Sequence, residues 1–537
     1  MNRRWVIGVF VFTISLFSQS DRGTITGTVS DPAGALVAGA PIDIRSSETG
    51  VEYKAATSET GNYTVAQLPA GTYELNVAVQ GFKRYVRQNI VVQVGQTIRL
   101  DVPLEVGSST ESVTVTAEVS LLKTENAETS HTISAQKLND LPILGIGGNF
   151  SSSQGLRFYM AEAQLVPGTY FQVSSTGTAT VKVNGAPSGT QRTQIDGMDA
   201  TNSLNGVPAS MQPSVDAIQE TTILVSDYSA EFGQVGGGLF NITTKSGTNQ
   251  YHGGAFLYNQ NEAYNAATPF TNINNRQRRN NYGFSIGGPI VLPKLYNGHD
   301  KSFFFYNREQ YRENDIINNR PITVPTTAYR NGDFSALLGS RVAQTAAQNP
   351  LGVAVLEGMI FDPNTTRTVN GSLVRDPFPG NRIPTNRFDS VSQRIQNLIP
   401  SPDTAALFSN YTPRFPVGRV TTNESVKIDH VLTQKAKLAG SFGTNATGAQ
   451  FSTNLNGSEG LPDVLTTTRG TFTQSYTWRV NFDYSASPTL LLHLGAGLVN
   501  YPFNTDAPVK TYDQVKELGL RGATVNGEAG GRFPSIS

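Results

Sequence analysis

Residues 476–499, YTWRVNFDYSASPTLLLHLGAGLV, carry the pattern on which the fold turns. Tyr476, Trp478, Val480, Phe482 and Tyr484 alternate with Thr477, Arg479, Asn481 and Asp483. After a turn from Ser485 to Thr489 that contains Pro488, Leu490, Leu492, Leu494, Ala496 and Leu498 alternate with Leu491, His493, Gly495, Gly497 and Val499. Large apolar groups on one face and mostly small or polar groups on the other, over about ten residues, suit a strand with lipid on one side and a polar lumen on the other. A half-buried strand of a soluble sheet has the same period. The pattern gains weight by recurring at Tyr282, Phe284 and Ile286 and again between Phe303 and Tyr311.

The composition of the whole chain agrees with such strands. Of 537 residues only 15% are charged, against about 25% in an ordinary soluble domain, and 52 are Gly, 27 Phe and 20 Tyr. The formal net charge is zero, with 41 Lys and Arg against 41 Asp and Glu, which argues against a nucleic-acid binder that must track phosphates. The chain has no Cys, so disulfide scaffolds, thiolate metal sites and cysteine catalysis are excluded. Residues 1–20 read as a signal peptide: Arg3 and Arg4, an apolar run from Trp5 to Phe17, then Ser18-Gln19-Ser20. The run is too short for a helix across a bilayer, which needs roughly 20 residues, and no later stretch is longer. Any membrane role must therefore use strands.

Residues 21–106 read as a small β-sandwich. Strands are expected at Gly23–Ser30, Ala40–Ser46, Glu52–Thr57, Asn62–Leu68, Thr72–Gln80 and Thr97–Leu104, separated by turns such as Asp31-Pro32-Ala33-Gly34 and Pro69-Ala70-Gly71. The stretches GTITGTVSDPAGALVAGAPIDI and TSETGNYTVAQLPAGTYELNVAVQGFKRY resemble the carboxypeptidase regulatory-like domain, which implies a transthyretin-like fold and allows carbohydrate binding. A zinc peptidase is not implied. The five His residues, His131, His252, His299, His430 and His493, are scattered and form no closely spaced ligand pair with Glu.

Residues 107–118 form a linker whose second half, Glu111, Ser112, Val113, Thr114, Val115, Thr116 and Ala117, follows a Gly-Ser stretch with strand-forming residues. This segment resembles a TonB box, by which a periplasmic energy-transducing protein grips an outer-membrane transporter through strand addition. The alternative is that it is the first strand of the next domain. Residues 119–249 mix short strands with a helical patch, Ala135 to Leu141. Asn184-Gly185 and Asp196-Gly197 each follow a strand and mark tight turns. Further on come Glu231-Phe232-Gly233 and Lys245-Ser246-Gly247. The ordered motifs VNG, IDGMDATN, VDAIQE, YSAEFGQVGGG and TKSGTNQYHG resemble the plug of Oar-like TonB-dependent receptors. The stretch LPILGIGGNFSSSQGLRFYMAEAQLVPG departs from that family, leaving local geometry open. Asp196, Asp199 and Asn202 have the oxygen chemistry of a calcium site, but paired Asp-Gly type turns account for them as well.

Residues 250–537 read as the N-terminal part of an Oar-like outer-membrane β-barrel. The segments NNYGFSIGGPIVLPKLYNGHDKSFFFYNREQYRE, TVPTTAYRNGDFSALL, FDPNT and DPFPGNRIPTNRFDSVSQRI resemble the opening strands and first large loop of that family. The loop is expected from about Arg312 to Thr421, and Arg276, Arg278 and Arg279 are expected in a solvated turn. About seven strands can be placed, against roughly 22 in a plugged transporter, so the barrel is expected to be cut short. Gly283-Phe284-Ser285-Ile286-Gly287 fits a nucleophile elbow and His252-Gly253-Gly254 part of an oxyanion hole, but an elbow must join a strand to a helix, and Gly288-Pro289 follows here. The fold expected is therefore mainly β: a sandwich, an α+β plug and an incomplete transmembrane barrel. The resemblance implies uptake of a large nutrient, such as an oligosaccharide, peptide or chelate, rather than catalysis. The implied partners are a TonB-type protein, outer-membrane lipid and an unidentified nutrient, with no nucleic acid, metal or cofactor. A structural or adhesion protein of the outer membrane is the alternative.

Overall fold

The computed structural model describes residues 22–108, 111–115, 127–141, 155–173, 179–187, 189–201, 212–229, 235–267, 274–318, 321–452, 469–487, 490–506 and 512–520, with a few isolated positions besides. The expected signal peptide lies outside these residues.

Nine strands come first: β1 (Gly23–Ser30), β2 (Pro41–Ser46), β3 (Glu52–Ala56), β4 (Asn62–Leu68), β5 (Gly71–Val77), β6 (Arg84–Val92), β7 (Thr97–Arg99), β8 (Val102–Pro103) and β9 (Ser112–Val115). One sheet runs β4-β1-β7, with β8 also on β1, and the other runs β3-β2-β5-β6-β9. Alternation places Ile25, Ile42, Ile44, Leu68, Leu75 and Val77 in one core with no exposed surface. Strand β6 was not expected. Its phase breaks at a bulge, where Tyr73 pairs with Ile90 but Leu75 pairs with Arg87, and Asn89 takes a left-handed φ of 58°. Tyr85 and Val86 are consequently both buried, followed by Ile90 and Val92. The expected strand Thr97–Leu104 is divided into β7 and β8.

A second unit contains β10 (Thr129–Ser134), α1 (Ala135–Asp140), β11 (Thr169–Val173), β12 (Ala179–Val183), β13 (Arg192–Ile195), β14 (Met198–Asp199), β15 (Ile218–Ser226) and β16 (Leu239–Thr244). Its sheet has the order β10-β15-β16-β13-β14, and β11 and β12 form a separate hairpin. Helix α1 falls on the expected helical patch and is capped by the Ser134 hydroxyl, which accepts from Lys137 N at 3.4 Å. Ile133, Leu138, Phe158, Tyr159, Met160, Ile218, Ile223, Phe240 and Ile242 share its core.

The third unit is an antiparallel sheet of long strands: β17 (His252–Asn261), β18 (Arg278–Pro289), the small ribbon β19 (Val291–Leu292) with β20 (Tyr296–Asn297), and β21 (Ser302–Asn318). Four short strands lie in the excursion that follows: β22 (Val342–Gln344), β23 (Val355–Leu356), β24 (Arg367–Val369) and β25 (Ser372–Val374). The sheet resumes with β26 (Arg414–Val431), β27 (Ala436–Ser452), β28 (Arg469–Ser487), β29 (Leu490–Asn500) and β30 (Phe503–Asp506). Its order is β17-β18-β21-β26-β27-β28-β29, with β30 on β28, and among the described residues it remains open at both edges. The excursion is shorter than the sequence suggested, since β21 pairs with β26 all the way to Asn318 and Arg414.

This sheet inverts the pattern of a soluble one. Outward residues include Leu257, Trp478, Val480 and Leu498, each at least half exposed. Inward positions hold Asn281, Asn307, Glu309, Thr421, Asn423, Asn445, Ser475 and Asn481, each no more than 4% exposed. Apolar outside and polar inside is the arrangement of a strand wall in lipid. No helix among the described residues is long and apolar enough to cross a membrane.

Candidate functional site

The concave, polar side of the long sheet holds the second unit, and a small number of side chains fix the two together. The turn between β13 and β14 has left-handed backbone at both central residues, Asp196 (φ 48°) and Gly197 (φ 75°), as a tight hairpin of this twist requires. That turn aims the Asp196 carboxylate at the end of β16, where Thr244 N donates at 3.0 Å and Thr244 Oγ1 at 2.7 Å. Lys427 Nζ on β26 completes the group at 3.1 Å from Asp196 Oδ1 and 3.1 Å from the Thr244 carbonyl. Asp196 and Lys427 side chains are only 6% and 11% exposed. A buried ion pair that also satisfies backbone groups fixes position more than it adds stability.

A second anchor is Arg157, 3% exposed. Its guanidinium pairs with Asp216, donates to Asn139 Oδ1 at 3.1 Å and to Tyr258 OH at 3.2 Å, and lies over the rings of Phe256 and Tyr258 on β17. Next to it Gln212 donates to the Arg157 carbonyl and Asn423 of β26 to the Gln212 carbonyl, both at 2.7 Å. Neither Arg157 nor Lys427 was singled out in the sequence. Lys427 was in principle legible, since Ser425, Lys427 and Asp429 alternate with Val426 and Ile428. Arg157 lies in the stretch that departs from the family pattern.

The remaining motif residues divide between two places. Lys245, Ser246 and Gly247 lie beside the Asp196 group: Lys245 N donates to the Ala217 carbonyl at 2.8 Å, and burial pushes its ammonium below the usual range, with Asp216 opposing. Gly247 crosses so close to Phe304 O and Gly288 O that a Cβ has no room, which explains Gly where the chain passes into the barrel wall. Asn184 and Gly185 are elsewhere, at the far end of β15, where Asn184 Nδ2 donates to the Val225 carbonyl at 2.9 Å. Phe232 and Gly233 border an opening of about 430 Å³ with Met198 and Arg479, whereas Glu231 lies outside the described residues.

The sandwich sits at the end of the sheet where the chain enters it. Asn249 N donates to the Glu48 carbonyl at 3.1 Å and Asn249 Nδ2 to the Thr49 carbonyl at 2.7 Å. Val94 N donates to Glu220 Oε1 at 2.5 Å, and Lys437 of β27 lies over the Tyr53 ring. Burial pushes the Glu220 carboxyl up to about 7, with the Val94 amide opposing. A cavity of about 420 Å³ remains between Tyr53, Tyr73, Lys245, Lys427, Lys437 and Asp483.

The described part of the linker pairs with the sandwich. Ser112–Val115 is neither a free segment nor the first strand of the next unit: as β9 it adds in parallel to β6 of the sandwich. Glu111 accepts from Arg84 N at 2.9 Å through its carbonyl, and its carboxylate lies 3.7 Å from Lys83 Nζ. Thr116 and Ala117 lie outside the described residues.

A family model described as an outer membrane β-barrel domain matches residues 243–537, more than half of the chain. The chain belongs to the outer membrane β-barrel family. Its place is therefore the outer membrane. A second model, the carboxypeptidase regulatory-like domain, matches residues 24–105. The TonB-dependent transporter Oar of Myxococcus xanthus is 29% identical over 293 residues, covering 52% of this chain and 26% of that protein. The chain thus spans about a quarter of that relative's length. Among solved structures, the outer membrane transporter YddB of Escherichia coli covers 71% of this chain and 40% of its own at 11% identity, with a TM-score of 0.39. A ferric enterobactin receptor of Pseudomonas aeruginosa (PfeA), solved as a mutant in complex with enterobactin, covers 71% and 42% at 11% identity and a TM-score of 0.35.

The structure also locates the residues that suggested other chemistry. Ser285 lies within β18, opposite Gly254 on one side and Asn307 on the other, so no elbow forms. Asp199 Oδ1 accepts from Thr201 N at 2.9 Å, Asn202 lies outside the described residues, and no metal-holding group of acids and His occurs among the described residues. Arg279 is not in a solvated turn. It points into the polar side of the wall, 2.7 Å from Asp315 and 3.4 Å from Glu313, while Arg278 pairs with Glu262 at the surface.

Proposed function

We propose that the chain serves energy-coupled uptake through the outer membrane, in a barrel closed by residues 119–249 acting as the plug. The observation that carries this reading is the second unit, seated on the polar wall through Asp196–Lys427 and Arg157 and continuous through Gly247 with the first barrel strand. A solid polar wall filled by a folded unit passes no large solute at rest. Its few ionic anchors are contacts that a pull from the periplasm can break. The segment Glu111–Ala117 supplies the handle for a TonB-type protein, which takes extended chain by strand addition. The cargo is a nutrient too large for an open pore, an oligosaccharide, peptide or chelate.

The test is deletion of residues 111–117 in the full-length protein, with outer-membrane amounts matched. Loss of capture by the purified periplasmic domain of the energy-transducing protein, and of uptake across a panel of labelled oligosaccharides, peptides and chelates, is expected. Uptake that survives deletion sinks the reading and leaves a display or adhesion role.

A further inference from the structure

The five-stranded sheet of the sandwich ends on the very segment read as the handle. Arg84, Tyr85, Val86 and Arg87 of β6 are in register with Ser112, Val113, Thr114 and Val115 of β9. Val115 packs against the sandwich core, Lys83 faces the Glu111 carboxylate at 3.7 Å, and the backbone joins Arg84 N to Glu111 O at 2.9 Å. The outward side chains, Ser112 and Thr114, are exposed. In a parallel ladder alternate backbone groups of each strand are committed to its neighbour. Strand β9 is the last of its sheet, so its side toward β6 is taken, and a partner that draws the whole segment into its own sheet must first lift it from that side.

We infer that the edge of β6 is the resting dock of the coupling segment, so that the sandwich and the energy-transducing partner compete for residues 111–115. The partner it fits is a periplasmic protein with an open sheet edge of its own. This rests on the uptake reading above for the partner's role, but the docking itself does not. Among the described residues the dock is small: one short ladder, one surface ion pair and one apolar anchor hold it. A contact of that size is reversible, and the sandwich thereby sets how often the segment is offered.

The experiment uses the full-length protein in outer-membrane vesicles, exploits the absence of Cys from residues 1–537, and replaces any Cys outside them by Ser. In the first arm a reporter, Val113→Cys, is labelled with a thiol reagent. Adding Lys83→Glu, which opposes Glu111, should speed labelling roughly two- to five-fold, the range expected for a surface ion pair, and Lys83→Glu with Glu111→Lys should restore the slow rate. Equal rates in all three overturn the dock whatever the protein transports. In the second arm the register partners Arg84→Cys and Ser112→Cys are joined by oxidation, since neighbouring strands place such pairs within disulfide reach. Capture by the partner's purified periplasmic domain should fall at least ten-fold and return on reduction. Capture unchanged by the disulfide overturns the competition. If the first arm succeeds while neither oxidised nor reduced protein is captured, the competition is overturned and the uptake reading fails with it, while the dock stands.

Discussion

The sandwich and the plug are both small β units of one chain, yet their interiors follow different rules. In the sandwich most buried side chains are aliphatic or aromatic, with only Ser46, Thr57 and Gln96 as buried polar residues among the described ones; Tyr63 OH donates to the Leu100 carbonyl at 2.7 Å, and Thr57 Oγ1 donates to the Val37 carbonyl while accepting from Ala40 N. In the plug, Glu162, Thr193, Thr221, Thr222 and Asn241 are buried to 2% exposure or less beside Ile223 and Phe240. Burial pushes the Glu162 carboxyl well above the usual range, with the Thr221 hydroxyl opposing. Polar groups taken from water give back little of the free energy that apolar burial supplies. The sandwich is built to stay folded, and the plug to be held by its surroundings.

The largest effect expected from this contrast is in the sandwich. Leu75 is fully buried at the centre of its core, and Leu75→Ala should cost about 3 kcal/mol, read as a lower urea midpoint for the residues of β1 to β8 by hydrogen exchange. A loss under about 1 kcal/mol would break the comparison on the sandwich side. Almost as large is the plug's dependence on the wall. Lys427→Met leaves the Asp196 carboxylate buried without its cation, at a cost of about 3 kcal/mol, so the plug should become protease-sensitive while the barrel stays inserted. If Lys427→Met leaves plug proteolysis unchanged, the plug does not depend on that anchor.

How much of this could be read in the sequence depends on whether the determining contacts are local. The wall of the barrel was legible because Trp478, Val480 and Phe482 repeat at the strand period, and the tight turns at Asn184 and Asp196 because Asn-Gly and Asp-Gly are local signals. Strand β6 was hidden because a bulge breaks its period. The choice of partner for β9 was hidden because Ser112 to Val115 has strand chemistry but nothing in it names β6. The excursion between Asn318 and Arg414 shows little periodicity. It is organised by side chains bonding to distant backbone, such as Asn381 Nδ2 to the Phe334 and Gly358 carbonyls at 2.9 and 3.0 Å. Alternation places Lys427 on the inward face, but that it meets Asp196 is a fact of the assembled lumen, and Arg157 finds Asp216 within its own unit from a stretch without a family pattern.

A smaller effect tests where the two units meet. The Glu220 carboxyl is near 7 when docked against Val94 and about 4.3 when free in water. Docking therefore takes up a proton between those values. The docked state carries no penalty below about pH 4.3, weakens as pH rises towards 7, and changes no further above it. Protection of the Val94 amide in the full-length protein, taken as its exchange rate relative to the intrinsic rate at each pH, should fall over that window. Glu220→Gln should flatten the profile, and a wild-type profile already flat would remove Glu220 from the contact.

The smallest effect is the one that bears most directly on why the plug is soft. Burial lets Glu162 hold its proton to higher pH in the folded plug than when exposed, so unfolding releases a proton above the ordinary carboxyl range, and plug stability should fall as pH rises through it. Glu162→Leu removes that dependence and exchanges a buried polar group for an apolar one of similar length. The plug should gain about 1 kcal/mol at neutral pH, seen as slower proteolysis in vesicles. If softness serves remodelling, the same variant should slow uptake while leaving capture by the periplasmic partner intact. A plug made firmer without any loss of uptake would mean that the polar interior is tolerated rather than used, and the contrast with the sandwich would then describe packing alone.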